Sequence, residues 1–134
     1  MKIEHIAFNV ADPVTVAAWY CQHCGLRVVR HVPQPVQTHF LADSDSTILE
    51  IYCNPSSQVP DYQNMNPLLF HLALTSSDPA TDSAKLISAG AIFVDEVRLP
   101  EGSHLVMLRD PWGMALQLCR RTKQLLRTNE QKNP

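Results

Sequence analysis

The amino-acid sequence predicts an α+β fold made of two related βαβββ halves, and an internal repeat is the main reason. The nine residues from His5 to Pro13 overlie those from His71 to Pro79, with histidine, alanine, aspartate and proline at identical places. Further along, 43–50 overlies 110–117, which matches Glu50 with Gln117. A repeat over this much of the chain indicates one supersecondary unit used twice.

Each half is predicted to begin with a strand and continue into a short helix. Asp12 and Asp78 are favourable N-cap residues, and the proline after each suits the first helical position, where no N–H is needed. The first helix should reach about Cys24 and the second about Ala89, with Gly25 and Gly90 beyond them.

Three strand-like segments follow each predicted helix, separated by turn-forming residues. They cover about 26–32, 37–43 and 47–53, then 91–98, 104–109 and 114–120. We therefore predict a single domain over 1–122, with one module at about 1–54, a linker over 55–66 and a second module at about 67–122. Residues 123–134 form a polar C-terminal tail, predicted to be frayed.

Composition favours a globular protein and argues against some partners. The 134 residues are 45% hydrophobic and 18% charged, and the formal net charge is −2. Apart from a C-terminal cluster, the basic residues are scattered, so we expect no nucleic-acid partner. The first residues carry no signal-peptide pattern, and no apolar run is long enough for a membrane span. We expect a cytoplasmic protein without a membrane partner.

Cys21 and Cys24 have the C-x-x-C spacing of a redox pair or half a zinc site. They fall at the end of a predicted helix, whereas a reactive pair opens one, where the helix dipole stabilises thiolate. No second pair completes a structural zinc site. We interpret these thiols as incidental, and leave their role open.

Strand alternation identifies a group of polar residues on the faces turned away from the helices. Leu49 and Ile51 make one apolar face of their strand and leave Glu50 on the other, and Gln117 is flanked in the same way. A carboxylate within an apolar strand is costly unless it is paired or metal-bound.

The repeat relates His5 to His71 and Glu50 to Gln117, so a pseudo-twofold axis would bring two imidazoles and two side-chain oxygens together. This set suits one divalent metal ion, Zn, Ni, Co, Fe or Mn. The alternative is that these polar groups satisfy each other and water without a metal.

The sequence resembles the vicinal oxygen chelate superfamily, which includes glyoxalase I, extradiol dioxygenases and bleomycin-resistance proteins. The resemblance covers about 1–120. It rests on Ile3-Glu4-His5-Ile6, Trp19-Tyr20 with Gly25-Leu26, Ile48-Leu49-Glu50-Ile51, Phe70-His71-Leu72-Ala73, and Arg109-Asp110-Pro111-Trp112-Gly113 leading into Leu116-Gln117-Leu118.

The resemblance implies a glyoxalase-like fold of two βαβββ modules, with a ligand pattern most like that of glyoxalase I. It implies metal ligands at His5, Glu50, His71 and Gln117, and substrate contacts at Asn9 and Asn54. Asn9 stands where a bacterial glyoxalase I carries an arginine. Gln117 replaces a glutamate that acts as ligand and base, and an amide cannot accept a proton near neutral pH.

Other members of the superfamily fit this pattern less well at position 117. Extradiol dioxygenases would place a carboxylate ligand there, and methylmalonyl-CoA epimerases a glutamate. The resemblance therefore implies a glyoxalase I-like lyase or isomerase, in which the metal stabilises an enolate or oxyanion of a small oxygen-chelating substrate. Glu50 is the one member of the ligand set able to move a proton.

Tyr52 and His104 are further candidates for substrate contact, with a structural role open for each. The competing function is a non-catalytic, bleomycin-resistance-like protein that binds a small molecule in the same cleft. We expect a homodimer because the chain is small and each half leaves its sheet open.

Overall fold

The computed structural model describes residues 1–123 and 125, and the predicted C-terminal tail lies almost wholly outside them. The chain divides into two units, Met1–Asp61 and Tyr62–Pro134, with the boundary inside the predicted linker. Each unit contains one βαβββ module, which confirms the predicted fold class. The first holds β1 Ile6–Asn9, α1 Pro13–Cys24, β2 Arg27–His31, β3 His39–Ala42 and β4 Ile48–Tyr52. The second holds β5 Leu72–Thr75, α2 Pro79–Ser88, β6 Ile92–Arg98, β7 His104–Arg109 and β8 Ala115–Arg120.

Each unit has its own four-stranded mixed sheet. The strand orders are β1-β4-β3-β2 and β5-β8-β7-β6. The first strand of each unit runs parallel to the last, and the other neighbours are antiparallel. Ala7 pairs with Glu50 in one sheet and Ala73 with Gln117 in the other, so the repeat extends to the strand register.

Both predicted N-caps are present. The Asp12 carboxylate accepts a 3.1 Å hydrogen bond from the Thr15 backbone N–H, and Asp78 accepts one of 3.2 Å from Thr81. Hydrogen bonds from the threonine hydroxyl and backbone lower the pKa of both carboxyl groups. Gly25 ends α1 with a φ of 72°, as its predicted place after the helix requires.

Equivalent aspartates also organise the last hairpin of each unit. Asp43 Oδ1 accepts from the backbone N–H of Asp45 and Thr47, and Asp110 Oδ1 accepts from those of Trp112 and Met114. One carboxylate oxygen thus closes each turn, which confirms the two turns predicted from composition.

The apolar faces of the sheets form the cores. In unit 1 the helix contacts β3 and β4, and Leu41, Leu49 and Ile51 are buried. In unit 2, Val106, Leu108 and Leu116 are equally buried. Glu50 and Gln117 are only half-buried, on the opposite faces, as alternation predicted. Neither described helix is both long and apolar enough to cross a membrane.

The first strand of each unit begins just after its histidine. β1 begins at Ile6, so His5 lies just before the strand, and His71 has the same place before β5. Side chains alternate along an extended chain, and His5 is two residues before Ala7. His5 therefore lies on the same face as Ala7 and Glu50, although it precedes β1.

Candidate metal site

His5 and Glu50 form a direct pair in unit 1. His5 Nε2 lies 3.0 Å from Glu50 Oε2, with the two side chains 36% and 21% exposed. The other ring nitrogen, Nδ1, contacts the Glu4 carboxylate. His5 is thus held between two carboxylates, one on each ring nitrogen.

This arrangement changes the acidity of the imidazole. The hydrogen bond with Glu4 raises the pKa of His5, desolvation opposes it, and the negative charge of Glu50 raises it further. A protonated His5 is therefore stabilised in the metal-free protein. Metal binding must displace that proton, because only the neutral imidazole is a ligand.

The geometry of the pair fits a metal site. A nitrogen and an oxygen that each bind one ion at about 2.1 Å lie roughly 3 Å apart when they occupy adjacent positions. The contact from Glu4 to Nδ1 is of the kind that orients ligating histidines and makes them more basic. The same distance also fits a plain ion pair, so it leaves the metal-free alternative open.

The corresponding pair in unit 2 has its own supports. His71 Nδ1 lies 2.9 Å from the Pro67 carbonyl oxygen. Because a carbonyl only accepts, Nδ1 carries the proton, and Nε2 of the neutral ring keeps its lone pair. Gln117 Oε1 accepts a 3.2 Å hydrogen bond from Cys119 Sγ. Within each unit, the described residues contain no group of three or more His, Cys, Asp or Glu able to hold an ion.

A pocket adjoins Gln117 on the face of its sheet that is turned away from the helix. It has a volume of about 270 Å³ and is mainly apolar, with Leu68, Leu105 and Met107 in its wall. Its polar lining includes Asp95 and Gln117. The full lining is Asn66, Pro67, Leu68, Val94, Asp95, Val97, Leu105, Met107 and Gln117.

Arg109 holds the segment that leads to this pocket, a role that the sequence did not reveal. Its Nη1 donates to the carbonyl oxygens of Tyr62 and Gly113 at 2.7 and 2.8 Å, and its Nη2 donates to that of Met65 at 2.7 Å. One guanidinium thus ties residues 62–65 to the last hairpin turn. The signal was a charged residue at the end of an apolar strand, but Tyr62 and Met65 are too distant in sequence to be inferred as its partners.

Asn9 and Asn54, the predicted substrate contacts, take part in a backbone network. Asn9 is buried; its amide nitrogen donates to the carbonyls of Ser57 and Gln58, and its oxygen accepts from the Asn54 N–H at 2.8 Å. The Asn54 side chain caps its own turn by accepting from Ser56. These contacts give Asn9 a positioning role for residues 54–58, and substrate contact by either residue stays a prediction.

Tyr52 and His104 differ in position. Tyr52 is half-buried and shares its strand face with Glu50. His104 is 2% exposed, on the face of its sheet opposite Gln117, where Nε2 lies 2.7 Å from Glu96 Oε1. This contact lowers the pKa of Glu96. The structure thus favours the structural role for His104 over the substrate contact predicted for it.

A comparison with protein families decides the broad assignment. Residues 5–119 match the glyoxalase-like domain family. This chain belongs to that family. The glyoxalase-like chain is also a member of the vicinal oxygen chelate superfamily, as its motifs predicted.

Solved structures share the fold of this glyoxalase-like chain. A family enzyme from Burkholderia phytofirmans PsJN, named for the glyoxalase, bleomycin-resistance and dioxygenase family, aligns with a TM-score of 0.72 at 14% identity, over 89% of this chain and 98% of that one. A glyoxalase I variant from Zea mays gives 0.71 at 18% identity, over 91% of this chain but 46% of the maize chain. TnmS3, an antibiotic-binding protein from Streptomyces sp. CB03234, gives 0.69 at 18% identity, over 91% and 97%. No curated protein matched the sequence.

The two cysteines of the C-x-x-C segment of this glyoxalase-like protein lie at the end of the first helix, as predicted. Cys21 and Cys24 lie in the last turn of α1, and neither forms a disulfide. Desolvation raises the pKa of Cys21, which keeps the thiol protonated. That is the opposite of what a reactive thiolate requires.

Proposed function

We propose that this protein is a divalent-metal-dependent lyase or isomerase, acting on a small substrate that presents adjacent oxygen atoms. The observation that carries the proposal is the 3.0 Å separation of His5 Nε2 and Glu50 Oε2, on the sheet face turned away from the helix. Glu4 contacts Nδ1 of His5, as the residues that orient metal-ligating histidines do.

The residues proposed to hold the ion are His5, Glu50, His71 and Gln117. The first two offer a nitrogen and an oxygen at a spacing that fits chelation. His71 offers Nε2, since its Nδ1 is engaged by Pro67. Gln117 offers a neutral oxygen. Two imidazoles, a carboxylate and an amide suit Zn, Ni, Co, Fe or Mn.

The bound ion would supply Lewis acidity, which stabilises negative charge on a substrate oxygen. Glu50 is then the proposed proton carrier, because its carboxylate can accept a proton where the Gln117 amide cannot. Its half-buried position limits competing water. Tyr52, on the same strand face as Glu50, is proposed as a substrate contact.

The second candidate is binding without chemistry. The apolar pocket beside Gln117 favours it, because a wall of Leu68, Leu105 and Met107 suits the body of an organic molecule. The name of TnmS3, an antibiotic-binding protein, shows that this fold can serve such a role.

Turnover by the metal-loaded protein distinguishes the proposed enzyme from a binding protein without chemistry. Adducts of 2-oxoaldehydes with thiols and acyl-CoA epimers are the substrates to screen, on wild type, Glu50→Gln and the exposed-loop control Glu101→Gln. We expect activity in wild type and in the control, and a loss of about a hundredfold or more in Glu50→Gln. A Glu50→Gln protein that binds metal and turns over normally would remove this mechanism, and ligand binding without turnover would favour the second candidate.

The homodimer expected from the sequence is also a proposal. Light scattering coupled to size-exclusion chromatography measures it directly. A mass near twice 15.1 kDa supports the dimer, and a mass near 15.1 kDa overturns it.

A further inference from the structure

Two arginines lie on the sheet face that carries Glu50 in unit 1. Arg30 pairs with Phe40, which pairs with Glu50, so these three side chains form one row across β2, β3 and β4. Arg27 pairs with Ala42, and Ala42 with Ile48, two residues before Glu50. Arg27 therefore lies on the same face.

A strand irregularity is what places both arginines on one side. Residues three apart in a regular strand point to opposite faces. In β2 the register shifts between Val28 and Arg30, so Val29 is an extra residue. Bulges of this kind redirect side chains and occur beside functional sites. The bulge gives this face two positive charges where a regular strand would give one.

Phe40 holds Arg30 in place and separates it from the Glu50 carboxylate. The Arg30 guanidinium carbon lies 5.6 Å from the centre of the Phe40 ring, a cation–π distance. The Phe40 ring meets His5 edge-on, with 6.1 Å between centroids. The row thus runs from Arg30 through Phe40 to the His5–Glu50 pair, over about 10 Å, or two strand spacings.

Within the part of the chain that the structure describes, neither guanidinium group has an acidic partner. Over residues 1–123 and 125, no ion pair within 4 Å joins Arg27 or Arg30 to a carboxylate. Both residues are exposed. By contrast, Arg98 in unit 2 pairs with Glu96 at 2.7 Å. A guanidinium fork without a protein acid is available to a carboxylate or phosphate, which it can bind through two parallel hydrogen bonds.

We propose that Arg27 and Arg30 bind the anionic end of the ligand, a carboxylate or a phosphate, while the rest of the ligand runs over Phe40 towards His5 and Glu50. This proposal deepens the proposed function by giving its substrate a negative charge about 10 Å from the Glu50 end. The binding step itself needs no metal. Its test can therefore be made separately from that of the proposed chemistry.

The experiment uses metal-free protein and four probes with the same aromatic body: 3-phenylpropionate, 2-phenylethyl phosphate, 3-phenylpropanol and 2-phenylethylamine. Binding is followed by NMR, through the Arg Nε–H and Phe40 ring signals. We expect the two anions to bind at least about tenfold more tightly than the alcohol, and the amine most weakly. The stronger anion identifies the charged group.

Variants connect the effect to the arginines. Arg30→Gln should weaken both anions by about tenfold and leave the alcohol unchanged, and Arg27→Gln should act in the same direction. Arg98→Gln, the matched control, should change nothing. Equal binding of all four probes, or equal loss in Arg98→Gln, overturns the proposal. A protein that binds the anions selectively but shows neither metal nor turnover would support this inference while refuting the proposed chemistry.

Discussion

The side-chain oxygen of Asn9 accepts a 2.8 Å hydrogen bond from the backbone N–H of Asn54, forty-five residues further along the chain. The amide nitrogen of Asn9 donates to two more backbone carbonyls in the same segment. A single buried amide therefore attaches residues 54–58 to the end of β1. Removal of this amide should therefore lower the stability of the protein.

Replacing Asn9 with leucine should destabilise the protein and free this segment. Leaving buried backbone groups unpaired costs about 1–3 kcal/mol, so urea unfolding should show a loss in that range. Amide hydrogen exchange at Asn54 should become faster. Gln22→Ala, on the exposed side of α1, is the control and should change stability by no more than about 0.5 kcal/mol. An unchanged exchange rate at Asn54 would contradict the positioning role.

His104 offers a test of whether its role is structural. His104→Gln should lose about 1–3 kcal/mol of stability, because it disturbs the hydrogen bond of a buried imidazole with the partly exposed Glu96. Metal content and ligand affinity should remain those of wild type, since His104 lies on the face opposite Gln117. Urea unfolding and the probe titrations measure both. A ligand affinity that falls while stability holds would restore His104 as a substrate contact.

Gly113 lies close to the backbone of a neighbouring segment, and Gly102, which has almost the same φ, provides a control without that contact. Gly113 and Gly102 have φ values of 95° and 96°, so alanine is strained equally at both. A Cβ on Gly113 would lie 2.6 Å from the backbone of Gln63, whereas one on Gly102 would meet only the methyl of Thr122 at 3.2 Å.

Thermal unfolding of the two alanine variants should therefore differ. Gly102→Ala should cost about 1 kcal/mol, and Gly113→Ala about 1–3 kcal/mol more, because backbone must move. The extra cost reports the contact with Gln63 alone, since the φ term is common to both. Equal losses would mean that this approach is not tight in solution.

The helix caps predict how stability depends on pH. Hydrogen bonds from Thr15 lower the pKa of Asp12 below its ordinary value of 3.8, and those from Thr81 lower the pKa of Asp78. This stabilisation is complete above the unfolded-state pKa. It is lost as pH falls through the lower folded-state pKa.

Asparagine can cap a helix but does not titrate. The Asp12→Asn and Asp78→Asn double variant should therefore lose less stability than wild type between about pH 5 and pH 3. Asp45→Asn, which lies in a hairpin turn and caps no helix, is the control. Urea unfolding across this range provides the measurement. If stability falls equally with pH in wild type and in the double variant, the two aspartate caps do not make the expected contribution.

The sequence predicted the helices and strands well because each boundary has a local chemical cause. Asp-Pro pairs begin both helices, Gly25 ends one, and aspartates close the hairpin turns. The strand faces followed from alternation, which placed Glu50 and Gln117 opposite the buried leucines. The family was predicted from the same residues.

Long-range contacts could not be predicted in this way. Nothing in the residues near Asn9 or Arg109 identifies most of their backbone partners, which, apart from the Gly113 carbonyl, lie more than forty residues away. The bulge at Val29 carries no glycine or proline to mark it, so simple alternation would have put Arg27 and Arg30 on opposite faces. The contact of His104 with Glu96 depends on strand pairing, so the sequence left both a structural role and a substrate contact open for this residue.

Metal content is the most direct test of the account. Purified, untagged protein, reconstituted in turn with Ni²⁺, Zn²⁺, Fe²⁺ and Mn²⁺, is measured by elemental mass spectrometry beside His5→Ala, Glu50→Ala and the control His23→Ala. We expect about one equivalent per site in wild type and in the control, and its loss in both site variants. No bound metal under any of these conditions, or full retention in both site variants, would contradict it.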